Sequence, residues 1–319
     1  MRLWLDGALH DDAVSEDVVE AWQRAALAHG RVSRLCPAGE LVVELGADLV
    51  ELGLVIRRCR SASSLRRLVR AAAQMSGLMC LMFVRLDDRD AFGRWAVTAR
   101  MAAVEAGDPA TLSWVLAQEA YGRYYAGDLR DAVNVARQAQ DLMRRTPSVG
   151  AVLAAALEAR AHAARGDEGN TRRTLGRAEV ILGALEPGSV SASAFGYTES
   201  QLRFHEGSAY TRLRAIGPAL RAQDRALELC PPGDYTDWAM TRLDRAACLA
   251  QVGDVPGAVG YAIETVSGLN GEQRRGIIAG RGRELVRALP VKYRQAAVVG
   301  EFEELLRQPA GELKEISGQ

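Results

Sequence analysis

The chain has 319 residues, 48% of them apolar and 25% charged, with 40 basic and 40 acidic side chains in balance. This composition supports a buried core and excludes a disordered chain. Zero net charge argues against a free-standing nucleic-acid binder, which carries a basic excess.

From the N-terminus, Met1–Asp6 lacks the apolar core and cleavage site of a secretory leader. The first helical pattern covers 15–31. The next, 38–60, contains the run Leu41–Ile56, which Glu44, Asp48 and Glu51 break up into an amphipathic helix. A third, 62–84, holds the most apolar run, Met75–Val84, about half the length that spans a bilayer. Further helices are predicted over 89–106, 110–126, 129–145, 149–165, 168–185, 195–213, 217–229, 235–252, 255–268, 272–289 and 291–308. No stretch alternates with period two and β-branched enrichment, so no strand is expected. The ten prolines fall where helix periodicity starts or stops. The Gly- and Ser-rich piece Glu186–Ser193 reads as a flexible link between two halves, and the tail after Gln308 as a frayed end. The five cysteines (Cys36, Cys59, Cys80, Cys230, Cys248) form no C-x-x-C pair and sit in apolar patterns, as reduced thiols of a cytoplasmic protein do.

One joint recurs. Gly127-Asp128, Gly166-Asp167 and Gly253-Asp254 each separate two amphipathic stretches. A left-handed Gly ends one helix and an Asp caps the next, so each pair is a hairpin turn. Small residues follow at one offset. Ala91, Ala132, Thr171, Ala219 and Ala258 recur at intervals of roughly 40 residues, longer than the tetratricopeptide period. The segment Gly207, Tyr210, Ala219, Ala226, Pro231 follows the tetratricopeptide pattern itself. The expected fold is all-α: a helical-hairpin, tetratricopeptide-like right-handed solenoid. Residues 1–85 are expected to form an N-terminal helical segment packing on the array, 86–270 the repeats, and 271–319 capping helices and a tail.

The stretch Phe195–Tyr210, with Ala222–Leu229, Leu243–Leu249, Arg281–Leu285 and Leu289-Pro290, resembles the sensor region of actinobacterial Xre-type helix-turn-helix regulators. Val18–Arg58 and Asp90–Gly107 are more weakly similar to that family's upstream helices. The family's DNA-binding head has no counterpart in this sequence. The resemblance therefore implies regulation by ligand or partner binding, with any helix-turn-helix partner supplied in cis or in trans, and no direct nucleic-acid binding by this chain.

Motifs for catalysis are missing. His10, His29, His162 and His205 lack metal-ligand spacing; His205 reads as a helix-surface or inter-repeat residue. Gly280-Arg281-Gly282 lacks the strand and third glycine of a dinucleotide loop, and there is no P-loop or G-x-S-x-G. No catalytic residue, metal ligand or cofactor is assigned. The basic run Arg57, Arg58, Arg60, Arg66, Arg67, Arg70 reads either as a phosphate or acidic-partner contact or as a solvated face over Leu65, Leu68 and Val69.

Repeat geometry supplies the binding candidates, because the first helix of each hairpin lines a concave groove. Trp114, Tyr121 and Tyr125 share a helix face, with Tyr124 beside them; Arg160 comes to the equivalent place on the next first helix; Gln201, Phe204, Ser208 and Arg212 follow on the one after. Aromatics flanked by Arg suit a peptide, a protein segment or a small signal. The same aromatics also serve to fill space between helices. Three functions remain open: a non-enzymatic sensor or adaptor in transcriptional regulation, a protein-assembly scaffold, or an enzyme using the repeat cavity. A homodimer is compatible with all three, and no membrane association is expected.

Overall fold

The computed structural model describes residues 14–307, and among them there is no strand. The opening segment read for a leader and the tail after Gln308 lie outside the described residues. Fourteen α-helices follow in order: α1 Glu16–Val32, α2 Ala38–Arg58, α3 Ala62–Leu86, α4 Arg89–Ala106, α5 Pro109–Ala126, α6 Leu129–Leu142, α7 Val149–Ala164, α8 Glu168–Gly183, α9 Glu199–Arg212, α10 Ile216–Glu228, α11 Tyr235–Gln251, α12 Val255–Ser267, α13 Ile277–Ala288 and α14 Ala297–Arg307.

The joints form as the sequence implies. Gly127, Gly166 and Gly253 take φ of 86°, 75° and 94°, where a Cβ would be strained. Asp167 and Asp254 cap the following helix, accepting from the backbone N–H of Asn170 (3.1 Å) and Gly257 (3.0 Å). Asp128 makes no such cap and lies instead 3.8 Å from Arg123. A fourth Gly-Asp joint, Gly107-Asp108, links α4 to α5, and Asp108 caps at Thr111.

Gly127, Gly166 and Gly253 turn the chain in the hairpins α5–α6, α7–α8 and α11–α12, and Asp87 (φ 59°) and Arg214 (φ 57°) do so in α3–α4 and α9–α10. The first member of each pair packs on the first member of the next, so α3, α5, α7, α9, α11 and α13 form an inner row. Ala91, Ala132, Thr171, Ala219 and Ala258 are all buried near the starts of the second helices, where small side chains allow close approach. A hydroxyl repeats too: Ser113 and Ser200 each donate to a carbonyl of their own outer helix, at Ala139 (2.8 Å) and Ala226 (3.4 Å). Inner helix α7 touches neighbours on every side and is buried from Gly150 to Ala163. One apolar core runs through the chain from Val18 to Phe302. By length and composition α3 is apolar enough to cross a membrane, but 67% of that window is buried inside the molecule, as the first inner helix of the row requires.

The row curls until α13 touches α3. Gly276, at the start of α13, holds φ 60° against the Arg85 backbone, and a Cβ there would fall onto the Arg85 carbonyl oxygen. Beside it, the end of α1 meets the start of α11: Arg34 is held by Asp234 (2.7 Å) and Asp237, and Arg85 donates to Tyr235 Oη and to the carbonyls of Ser33 and Cys36.

Three predicted boundaries shift. The helix expected from 195 begins at Glu199, because Thr198 and Gln201 form a reciprocal capping box. The one expected over 272–289 begins at Ile277, after the turn that carries Gly276. The stretch 291–308 divides into a 3₁₀ turn, Val291–Tyr293, and α14. The expected flexible link also differs: it leads into an anchored segment. Ala194 N–H donates to Gly30 O (2.8 Å), Tyr197 N–H to Ser189 O (3.0 Å), and the Trp114 indole to Ala194 O (2.7 Å).

Candidate functional site

Because the inner row curls round, side chains from α5, α7 and α9 meet inside it. Tyr121, Tyr124 and Tyr125 come from the second half of α5, Arg160 from α7, and Phe204 and His205 from α9. Tyr121 and Tyr125 make an edge contact at 5.0 Å between ring centroids, and Tyr124 meets Tyr125 at 5.2 Å. The Arg160 guanidinium lies over Tyr124 (4.4 Å), Tyr125 (5.3 Å) and Phe204 (5.2 Å), a three-ring cage. It donates to Tyr125 Oη (3.1 Å) and faces His205 Nδ1 (3.4 Å). Arginine can only donate, so His205 Nδ1 accepts and the imidazole is neutral with its proton on Nε2. Burial pushes His205 well below the ordinary histidine range, and the charges of Arg160 and Arg34 push the same way. His205 is therefore a buried residue between repeats, facing Arg160 of α7 and Tyr121 of α5, and of the two alternatives offered by the sequence the helix-surface one does not hold.

This layer separates two chambers. The first is small, 70 Å³, and is lined by Arg34, Gln118, Tyr121, Gln201, His205, Asp234 and Asp237. Burial raises the Asp237 carboxyl to about 6; Asp234 adds to the rise and Arg34 opposes it. Burial disfavours the charged carboxylate, and because two carboxylates share one guanidinium, Arg34 does not offset it. Tyr197 and Thr236 line this chamber, and their buried hydroxyls have no hydrogen-bond partner.

The second chamber is larger, 490 Å³. Tyr124, Tyr125 and Arg160 form its floor, Ser208, Arg212 and the buried Arg281 its walls, and the exposed Arg283 and Arg287 of α13 its rim. Arg281 is held by Asp244 (2.6 Å) and Glu284 (3.0 Å), and Arg212 by Glu284 (2.7 Å). Arg160 Nε and Tyr124 Oη are buried without a hydrogen-bond partner. Burial works to raise the Tyr124 phenol, but Arg160, Arg212 and Arg281 together pull it below its usual value.

Of the residues expected in a groove, Tyr121, Gln201 and Phe204 line the first chamber, and Tyr124, Tyr125, Arg160, Ser208 and Arg212 the second. Trp114 lies in neither lining: its ring packs on Gly77 and Phe195 between α3, α5 and the 194–195 segment. Spacing along one helix does not distinguish the wedge at 114 from the lining at 121. Arg34, Asp234, Asp237, Arg283 and Arg287 were not foreseen. Arg34, Asp234 and Asp237 come together only because the ring closes, and Arg283 and Arg287 stand exposed at the rim of the second chamber; only the acidic N-cap position of Asp234 before α11 is a readable signal. The basic run at 57–70 is mostly solvated, with Leu68 and Val69 buried beneath and Arg67 paired to Glu16 and Gln23. Among the described residues no three His, Cys, Asp or Glu side chains gather as a metal-binding group. All five cysteines are unpaired.

A scan of family models finds none that matches this chain, and a search of curated proteins finds no match either.

Proposed function

We infer that the protein is a non-enzymatic sensor or adaptor of the tetratricopeptide type, and that its ligand occupies the second chamber. The observation that carries this reading is the chamber floor. Arg160 is 2% exposed and has no carboxylate within ion-pair distance among the described residues, and its Nε and the neighbouring Tyr124 hydroxyl are unanswered. Buried charges and polar groups are normally paired, so such a floor is suited to a ligand that supplies the missing acceptor. The volume falls in the range of small-molecule sites. A peptide end, a protein segment or a small signal would reach it from the α13 rim.

Binding there bears on ring closure. The chamber is walled by α5, α7 and α9 on one side and by α13 on the other, so a ligand touching both stabilises the closed form. In a solenoid, small rotations at each repeat add up at the ends. The link to transcription rests on the resemblance of Phe195–Tyr210 and the segments after it to Xre-type sensor regions; a helix-turn-helix partner in cis or in trans would then read the change.

Native mass spectrometry on protein purified from its own host tests this reading. A bound species lost in Arg212→Glu, with folding retained, supports it. A bare chain whose thermal midpoint responds to no host extract fraction would sink it.

One observation favours the scaffold reading. Val97, Met101 and Val104 share the outer face of α4 and are 61%, 67% and 61% exposed. A stripe of this kind suits a partner protein. In that case Met101→Glu removes a co-purifying protein and leaves the occupancy of the chamber unchanged.

A further inference from the structure

Six guanidiniums line the second chamber: Arg89, Arg160, Arg212, Arg281, Arg283 and Arg287. Only Asp87, Asp244 and Glu284 oppose them there. Glu284 and Asp244 are already spent on Arg212 and Arg281, and Asp87 lies 3.9 Å from Arg89. Arg160, Arg283 and Arg287 are left with no acid within ion-pair distance among the described residues. Arg283 and Arg287 lie one turn apart on the same face of α13, while Arg160 lies at the floor. The unanswered positive charge therefore runs the depth of the chamber.

The outer groove beside Tyr210 is an arginine-lined surface with a smaller surplus. Of its four arginines, Arg172 pairs with Glu168, Arg203 with Glu179 and Glu206, and Arg225 with Glu199 and Glu228, and only Arg221 has no acid within ion-pair distance among the described residues. In the chamber, three of the six are without one, and one of those three, Arg160, is buried.

A single carboxylate would answer one of the three free guanidiniums. A phosphate carries more charge on three oxygens and matches the planar donor fork of arginine two bonds at a time. The floor asks for something different: an acceptor for Arg160 Nε and a partner for the Tyr124 hydroxyl, beside aromatic faces. We propose that the chamber binds a small organic phosphate, with its phosphate groups between Arg283, Arg287 and Arg212 and its polar body on the floor of Tyr124 and Arg160. This inference rests on the reading that the second chamber is a ligand site and names the chemistry of that ligand.

The test is calorimetric and thermal-shift titration of the full chain with inorganic phosphate, pyrophosphate, adenosine diphosphate, adenosine and a capped diglutamate peptide. Pyrophosphate or adenosine diphosphate should raise the thermal midpoint, and adenosine and the peptide should not. Arg283→Gln with Arg287→Gln should weaken that binding about tenfold or more, since each removes a charge-assisted hydrogen bond. Both side chains are exposed, so the unliganded midpoint should stay in place. Tyr124→Phe removes only the unpartnered hydroxyl; it should fold as well as the parent and bind adenosine diphosphate more weakly, with pyrophosphate affected less. Phosphate binding that is undiminished in the double variant would overturn the proposal by placing the anion elsewhere. So would indifference to every phosphorylated probe. If the host-purified protein then carries a ligand without phosphate in the chamber, the sensor reading stands and only the phosphate assignment falls; if it carries nothing, both fall.

Discussion

In the first chamber every charged side chain ends on a partner brought from another part of the chain. Arg34 is clasped by Asp234 and Asp237, and Arg85 is answered by two carbonyls and the Tyr235 hydroxyl. In the second chamber, across one layer of tyrosine, histidine and arginine, guanidiniums outnumber acids two to one and the deepest has an empty Nε. Both chambers are built from the same inner helices. The difference lies in how charge is answered: in the first chamber it joins segments distant in the chain, and in the second three guanidiniums have no acid within ion-pair distance among the described residues.

That contrast predicts opposite responses to losing an arginine. Arg34→Met strands two acids that share one cation, Asp234 being almost fully buried. Breaking a buried pair on one side costs about 3–5 kcal/mol, and urea denaturation should report a loss of that size. A loss under about 1 kcal/mol would mean that the clasp does not hold the seam. Next in size is Gly276→Ala, where the backbone angle and the Arg85 carbonyl both reject a Cβ. It should cost about 2 kcal/mol or more by the same measurement. Because Gly276 launches the helix that carries Arg283 and Arg287, it should also weaken any ligand at the rim.

The seam is where the sequence is least informative. Three hairpins are readable because they depend on neighbours in the chain, a left-handed glycine, the aspartate after it and a small residue a little further on; the turns at Asp87 and Arg214 lack that glycine. The positions of Tyr121, Tyr125, Arg160 and Phe204 were readable because helix periodicity carries an inner face from one repeat to the next. The contact of Arg34 with Asp237 joins residues about 200 apart, and it exists only because the curvature of every intervening repeat sums to closure. No local pattern encodes that sum. The same limit explains Trp114, whose place on the helix face is right but whose space is taken by Phe195, and His205, for which the sequence leaves the surface and the space between repeats equally open.

Arg160→Met probes the second chamber in the opposite sense to Arg34→Met. It removes a buried cation that no acid answers and puts a flexible apolar chain into a three-ring cage that suits a thioether. The hydrogen bonds to Tyr125 and His205 are lost, so the two effects offset and the change should be no more than about 1 kcal/mol. Binding to the chamber should nevertheless disappear. A stability loss as large as that of Arg34→Met would show that Arg160 is a structural charge and remove the distinction between the chambers.

The smallest effect is in the pH dependence, because two groups of the interior oppose each other. His205 is held neutral by burial and by Arg160 and Arg34, so on acidification below its ordinary range the unfolded chain takes up a proton that the folded one refuses, and stability falls. Asp237 works the other way. With its carboxyl raised to about 6 it takes a proton before the unfolded chain does, so its contribution is fully present below the ordinary aspartate value of 3.8 and is lost as pH rises through about 6. Between pH 4 and 6.5 the two slopes subtract, and the parent protein should show a shallow profile from this pair. Asp237→Asn keeps an acceptor for Arg34, and Asp234 still pairs with it, but the offsetting slope is gone. The thermal midpoint of this variant should therefore fall more steeply than the parent's as pH is lowered from 6.5 to 4. Parallel profiles would mean that Asp237 titrates as an ordinary aspartate, and that the clasp shares its charge with solvent and not with the closed ring.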